Sequence, residues 1–169
     1  ARREDYGTNA DGSPVEVPEG VLVLTCGVDT QDNRLEYEVV GHGFYGETWG
    51  IKKGIINGRP DTSEVWARLD DVIDHVYRFK NGKGLKVSFT CVDSGGHFTQ
   101  EVYAECKARQ NKRVFAIKGK GGDAIRAFTG RTHTTDQMVF SSIGNFSAKT
   151  AETVAARYFA QQAATTRGF

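Results

Sequence analysis

Two aspartates stand where apolar runs stop. Asp29 closes residues 21–29 (VLVLTCGVD) and Asp93 closes residues 86–93 (KVSFTCVD). If both runs are strands and the strands are parallel neighbours, both carboxylates emerge at one carboxyl edge of a sheet, where open α/β sheets place their ligands. Two acids held together repel, and a shared proton or a divalent cation relieves that repulsion. The three cysteines and four histidines offer no zinc-ligand spacing, so hard oxygen donors select Mg²⁺ or Mn²⁺. Such a pair can hold two ions about 3.5–4 Å apart and stabilise the attacking and leaving oxygens of phosphodiester cleavage. Either aspartate alone reads as an ordinary turn residue; the pair in this arrangement points to chemistry.

The residues around the pair extend that chemistry. Ser94-Gly95-Gly96 after Asp93 forms a small, open loop that lets a phosphate approach closely. His97, four residues beyond the acid, could contact that phosphate or orient water. Lys118 and Lys120 in Ile117-Lys118-Gly119-Lys120-Gly121-Gly122 are candidate backbone contacts on DNA. That run looks like a phosphate loop but lacks the GxxxxGK[ST] pattern, so ATP hydrolysis is not encoded. Charge points the same way: residues 1–104 carry 11 Lys and Arg against 17 Asp and Glu, whereas residues 105–131 carry 8 against 2. A basic segment this dense suits a polyanion, although a solvated helix face followed by a charged turn would look similar.

These residues need a scaffold, and the chain of 169 residues has room for one core. Residues 1–20 are polar, contain two of the three prolines and read as a linker from something upstream; residues 21–169 read as the domain. Strand one is followed by a turn at Thr30–Asn33 and a half-exposed strand alternating Leu35, Tyr37 and Val39. A glycine-rich bend leads to a third strand near residues 48–56. Apolar spacing through Val65, Leu69, Val72, Ile73, Val76 and Tyr77 predicts a helix. Strand 86–93 and a helix over residues 99–109 form the next unit. Strands over 113–118 and 137–141 and a helix over 148–160 complete the order βββαβαβ(β)α. Three antiparallel strands followed by parallel ones, with helices on both faces, give an α/β mixed sheet of ribonuclease H-like type. Cys26, Cys91 and Cys106 read as buried apolar residues of a reducing compartment. No apolar run is long enough to span a membrane.

The motifs in order, GVDTQ at 27–31, VDSGGH at 92–97 with Val102-Tyr103, and AIKG at 116–119, resemble the nuclease part of the large terminase subunit of lambda-like tailed phages. The resemblance implies a metal-dependent endonuclease that cuts concatemeric double-stranded viral DNA around packaging. Residues 1–20 would then connect to an upstream ATPase domain, and the small terminase subunit and capsid portal would be partners in the host cytoplasm. Asp29 and Asp93 fall on two of the family's acidic metal positions. At the third, the Gly-x-Asp-x-Ala-Lys pattern, this chain has Phe146, which cannot bind a metal. Glu152, one helical turn away, is assigned as the third acid, with Asp136 and Asp32 as alternatives; Lys149 fits the pattern and joins Lys118, Lys120 and His97 on the DNA side. The expected activity is phosphodiester hydrolysis at Asp29, Asp93 and Glu152. A noncatalytic DNA-binding or motor-docking module that kept the fold and lost its third acid is the alternative.

Overall fold

A period-two pattern dominates the first half of the chain and builds its sheet. A computed structural model describes residues 5–119, 130–134 and 137–141, and the chain divides into two units, residues 1–116 and 117–169. In the first unit, β1 (Val23–Gln31) and β2 (Arg34–His42) form a hairpin paired continuously from Val23 with His42 to Gln31 with Arg34. Antiparallel β3 (Thr48–Asn57) covers the outer edge of β2. The chain continues through α1 (Ser63–Asp74), the two-residue strands β4 (Tyr77–Arg78) and β5 (Gly84–Leu85), β6 (Val87–Asp93), α2 (Thr99–Ala108) and β7 (Val114–Lys118). The sheet runs β3-β2-β1-β6-β7, and β6 joins the inner edge of β1 in parallel. This is the expected mixed α/β sheet of ribonuclease H-like type.

One face of the sheet holds the core. Leu24, Cys26 and Val28 of β1, Leu35, Tyr37 and Val39 of β2, Val92 of β6 and Val114 and Ala116 of β7 are buried there. The amphipathic α1 covers them with Val65, Trp66, Leu69, Val72 and Ile73, and α2 adds Val102 and Cys106 to the same cluster. On the other face Gly27, Asp29 and Glu38 are exposed. The expected second layer of helix rested on residues 148–160, which lie outside the described residues. Burial pushes the Cys26 thiol up to about 12, with Cys91 adding a smaller push, and burial does the same at Cys91 and Cys106. All three stay protonated; Cys26 and Cys106 are buried as the sequence suggested, whereas Cys91, on the strand face away from the helices, is half-buried.

The helices are tied together by charge. Acids end α1 where the helix dipole disfavours them, and its last turn has no basic residue. Lys112, beyond α2, compensates by donating to Asp74 at 2.7 Å and Asp70 at 2.9 Å. Arg109 donates to Asp70 at 3.0 Å and to Glu105, with its guanidinium 5.6 Å from the Trp66 ring. Trp66 is fully buried and donates its indole N–H to the Pro60 carbonyl at 2.8 Å. Four of the eight cations in the basic segment, Lys107, Arg109, Lys112 and Arg113, therefore sit at this helix end, and two of them pair with acids of α1 and α2.

Three local features depart from the sequence reading. The helix ends at Asp74, so Val76 and Tyr77 lie beyond it although their spacing continues the helical period. Tyr77 is buried from β4 instead, donating its hydroxyl to the Val72 carbonyl. Within residues 1–20, Val15 and Val17 are buried, Val17 bridges Phe79, and Glu16 accepts from His75 at 2.7 Å and from the Arg78 amide at 2.9 Å. The alternation Val15-Glu16-Val17 is too short to register against its polar flanks. In the second unit, β9 (Gln137–Ser141) pairs in parallel with Ile117 and Lys118 and antiparallel with β8 (Gly130–Thr134). No local pattern marks β8, because Gly130-Arg131-Thr132-His133-Thr134 contains no apolar residue to alternate.

Burial raises the Asp70 carboxyl, but hydrogen bonds from Lys112 and Arg109 and their charges outweigh it and hold the group below its ordinary 3.8. A depressed acid contributes stability above its unfolded value and loses that contribution as pH falls through the folded one. Asp70→Asn should therefore lower the unfolding free energy at pH 7 by roughly 1–2 kcal/mol, the loss of charged hydrogen bonds discounted for partial exposure. Urea melts should show the gap between the two proteins closing as pH drops below about 4.

Candidate metal centre

The burial of one sheet face decides where the two acids go. Val28 and Val92 are register partners in the parallel pair, and both are buried on the helix side. Asp29 and Asp93 each follow by one residue, so both point to the opposite face. Neighbouring strands lie about 4.8 Å apart, which sets the acids side by side at the carboxyl ends of β1 and β6. Behind them, Gly27 pairs with Cys91, and a Cβ added at Gly27 would meet nothing within 4 Å. The sheet surface beside the pair, over Gly27, is open.

Electrostatics distinguishes these acids from their neighbours. Glu36, the β2 partner of Asp29, is neutralised by Arg34 at 2.7 Å. Among the described residues, neither Asp29 nor Asp93 has a cationic partner. Each is oriented through one oxygen by a residue two positions on: the Gln31 side-chain amide at the end of β1 donates to Asp29 Oδ2, and the Gly95 backbone amide in the loop after β6 donates to Asp93 Oδ1 at 3.1 Å. Asp29 Oδ1 and Asp93 Oδ2 have no partner among the described residues. Two hard, unneutralised and oriented carboxylates suit a divalent cation of the Mg²⁺ or Mn²⁺ kind. They do not complete a protein cage, since no group of three or more His, Cys, Asp or Glu arranged for a metal occurs among the described residues.

The remaining site residues fall into three groups. His97 belongs to the same rim: its Nδ1 donates to Asp32 Oδ1 at 2.8 Å, joining the loop after β6 to the turn after β1. Asp32, an alternative third ligand by sequence, is engaged in that bond. Lys118 is exposed at the end of β7, in the second unit, with Ser141 as its register partner. Lys120, Lys149 and Glu152, with Asp136 and Phe146, are outside the described residues, as is the side chain-bearing helix on which Glu152 and Lys149 were expected. Two residues at the rim escaped the sequence reading. Gln31 was discoverable, since it lies two residues after Asp29 on the same strand face. Arg59, paired with Asp61 at 2.7 Å and 5.6 Å from the Phe98 ring, comes from the loop before α1, and nothing in its local sequence marks it.

A hairpin extended by a parallel strand, with carboxylates at the ends of its two central strands, defines an α/β domain of ribonuclease H-like type with a two-acid edge. Comparison with known proteins narrows this. The family described as the terminase large subunit gpA endonuclease domain matches residues 1–142, and the chain belongs to that family. The terminase large subunit of Escherichia phage lambda is 39% identical over 103 residues, covering 61% of this chain and 16% of the relative. The terminase large subunit of Enterobacteria phage P21 matches with the same identity and coverage. The chain thus spans 16% of the length of these relatives. No solved structure matches it.

Gly95 offers a test of the geometry. A Cβ there would stand 3.3 Å from Asp93 Oδ1 and 3.4 Å from Oδ2, so the carboxylate must give by a few tenths of an ångström. Gly95→Ala should weaken Mn²⁺ binding about tenfold, the scale of outer-shell effects on metal sites. Calorimetric titration measures this, and an unchanged melting temperature separates it from misfolding.

Proposed function

We propose that this chain is the DNA-cutting domain of a viral packaging terminase, a Mg²⁺- or Mn²⁺-dependent endonuclease acting on concatemeric double-stranded DNA. The observation that carries the reading is the pair Asp29 and Asp93, side by side on parallel strands and without a cationic partner among the described residues, in a member of an endonuclease-domain family. Asp29 Oδ1 and Asp93 Oδ2 would hold the metal, with Glu152 as the proposed third acid. Divalent ions bound there would supply charge stabilisation to the attacking and leaving oxygens of an in-line displacement at phosphorus. The residues of the chain do the remaining work. Gln31 and the Gly95 amide aim the carboxylates, and the Ser94-Gly95-Gly96 loop leaves space for the phosphate. His97, Lys118, Lys120 and Lys149 contact the DNA backbone and fix the strand against the acids.

The wider reading follows from the relatives' description as large terminase subunits. The domain would work beside an ATPase domain of the same polypeptide and in company with the small subunit and portal, in the cytoplasm of the infected bacterium. No helix among the described residues is long and apolar enough to cross a membrane.

Plasmid nicking in Mn²⁺ tests the proposal. Asp29→Asn and Asp93→Asn should each reduce the nicking rate by about 100-fold or more, the scale of lost electrostatic stabilisation, without loss of folding. DNA retention without nicking by the unaltered chain would favour the noncatalytic module instead, a rival motivated by Phe146 at the expected acid position. Lys118→Ala should weaken binding similarly across DNA sequences and reduce the slope of log affinity against log salt by about 1. Filter binding at several salt concentrations reads that slope.

A further inference from the structure

We propose that Asp32 and His97 form a positioning clasp that sets the spacing of the two metal-binding carboxylates. The inference rests on the metal-centre reading and extends it to residues that touch no metal. Asp29 lies three residues before Asp32 on the last stretch of β1, which ends at Gln31 and leads directly into the turn holding Asp32, and Asp93 ends β6 just before the loop that contains His97. The Asp32–His97 bond joins these two segments across 65 residues of sequence.

The two segments are close as well as bonded: a Cβ at Gly96 would stand 3.6 Å from the Thr30 carbonyl oxygen. Each is internally braced. Gln31 holds Asp29, the Gly95 amide holds Asp93, and the Thr99 hydroxyl donates to the carbonyls of Ser94 at 2.8 Å and Gly96 at 2.9 Å. Two braced segments joined at their tips transmit a fixed separation to their bases, where the acids stand. The His97 and Asp32 side chains are 86% and 71% exposed, and ion pairs that exposed contribute little to stability. The consequence of the bond is therefore local geometry. The same bond also fixes the orientation of the imidazole ring.

Mn²⁺ titration of the 169-residue chain by calorimetry, with nicking measured in parallel, tests the clasp. His97→Ala and Asp32→Ala should each weaken Mn²⁺ binding by about fivefold, the most that an exposed pair worth about 1 kcal/mol can supply, and the double variant should be no weaker than either single one. His97→Asn, whose amide nitrogen can still donate to Asp32, should bind within about twofold of the unaltered chain, with melting temperatures unchanged throughout. Single variants that bind like the unaltered chain, or losses that add in the double variant, would overturn the clasp while leaving the endonuclease reading intact. Clasp-dependent Mn²⁺ binding without any nicking would support the clasp and remove the nuclease. Absence of Mn²⁺ binding in the unaltered chain would overturn both.

Discussion

The parallel pairing of β1 with β6 is the constraint on which the site depends. Its register is fixed by the buried face, where Val28 meets Val92 beneath α1 and α2. Burying a valine contributes about 1.5–3 kcal/mol, so several such residues along the two strands make a slipped register costly. A slip of one residue would bring one strand's apolar set to solvent and turn its acid into the core. The alignment of Asp29 with Asp93 is thus enforced by side chains that never approach the site. The two carboxylates themselves favour separation.

That opposition explains how the rim is built. A single pair of unneutralised acids costs folding free energy through repulsion, and the chain does not relieve it with an arginine or lysine among the described residues. It relieves Glu36 that way, through Arg34, one strand over. The contrast on a single sheet face separates an acid with a structural partner from acids left available to a cation. The donors that do reach Asp29 and Asp93, the Gln31 amide and the Gly95 N–H, are neutral dipoles. They orient the oxygens without cancelling the charge that a metal needs.

Most of this sheet was legible in the sequence because its signals are local. The apolar run over 21–29, the two-residue alternation of Leu35, Tyr37 and Val39 and the helical spacing through Ile73 located β1, β2 and α1, although β1 continues through Thr30 and Gln31, which read as turn. The acids were legible because each ends an apolar run, and strand polarity then brings them to one edge. What was missed depended on distant partners. Tyr77 fits the helical period and is buried by a short strand instead, a choice made by its pairing with Leu85 and by the bonds of Glu16 to His75 and the Arg78 amide. Val15 and Val17 carry too short an alternation to be distinguished from a tether. Arg59 reaches the rim only through the path of the loop before α1. The Asp32–His97 bond could not be read from spacing, since its partners lie on separate loops.

Stability and chemistry occupy opposite faces of the same strands. The charged residues that tie α1 to α2, Asp70, Asp74, Arg109 and Lys112, lie among the helices and include two of the eight cations that made residues 105–131 look like a DNA-binding segment. A dense basic stretch in sequence is therefore not one surface in space: Arg109 and Lys112 are committed to acids of α1, while Lys118 is exposed at the end of β7. Electrostatic attraction for a polyanion can come only from cations without such commitments. This leaves the proposed DNA contacts to Lys118, to the lysines beyond it and to His97 at the rim, where Asp29 and Asp93 would oppose a phosphate that arrived without divalent charge.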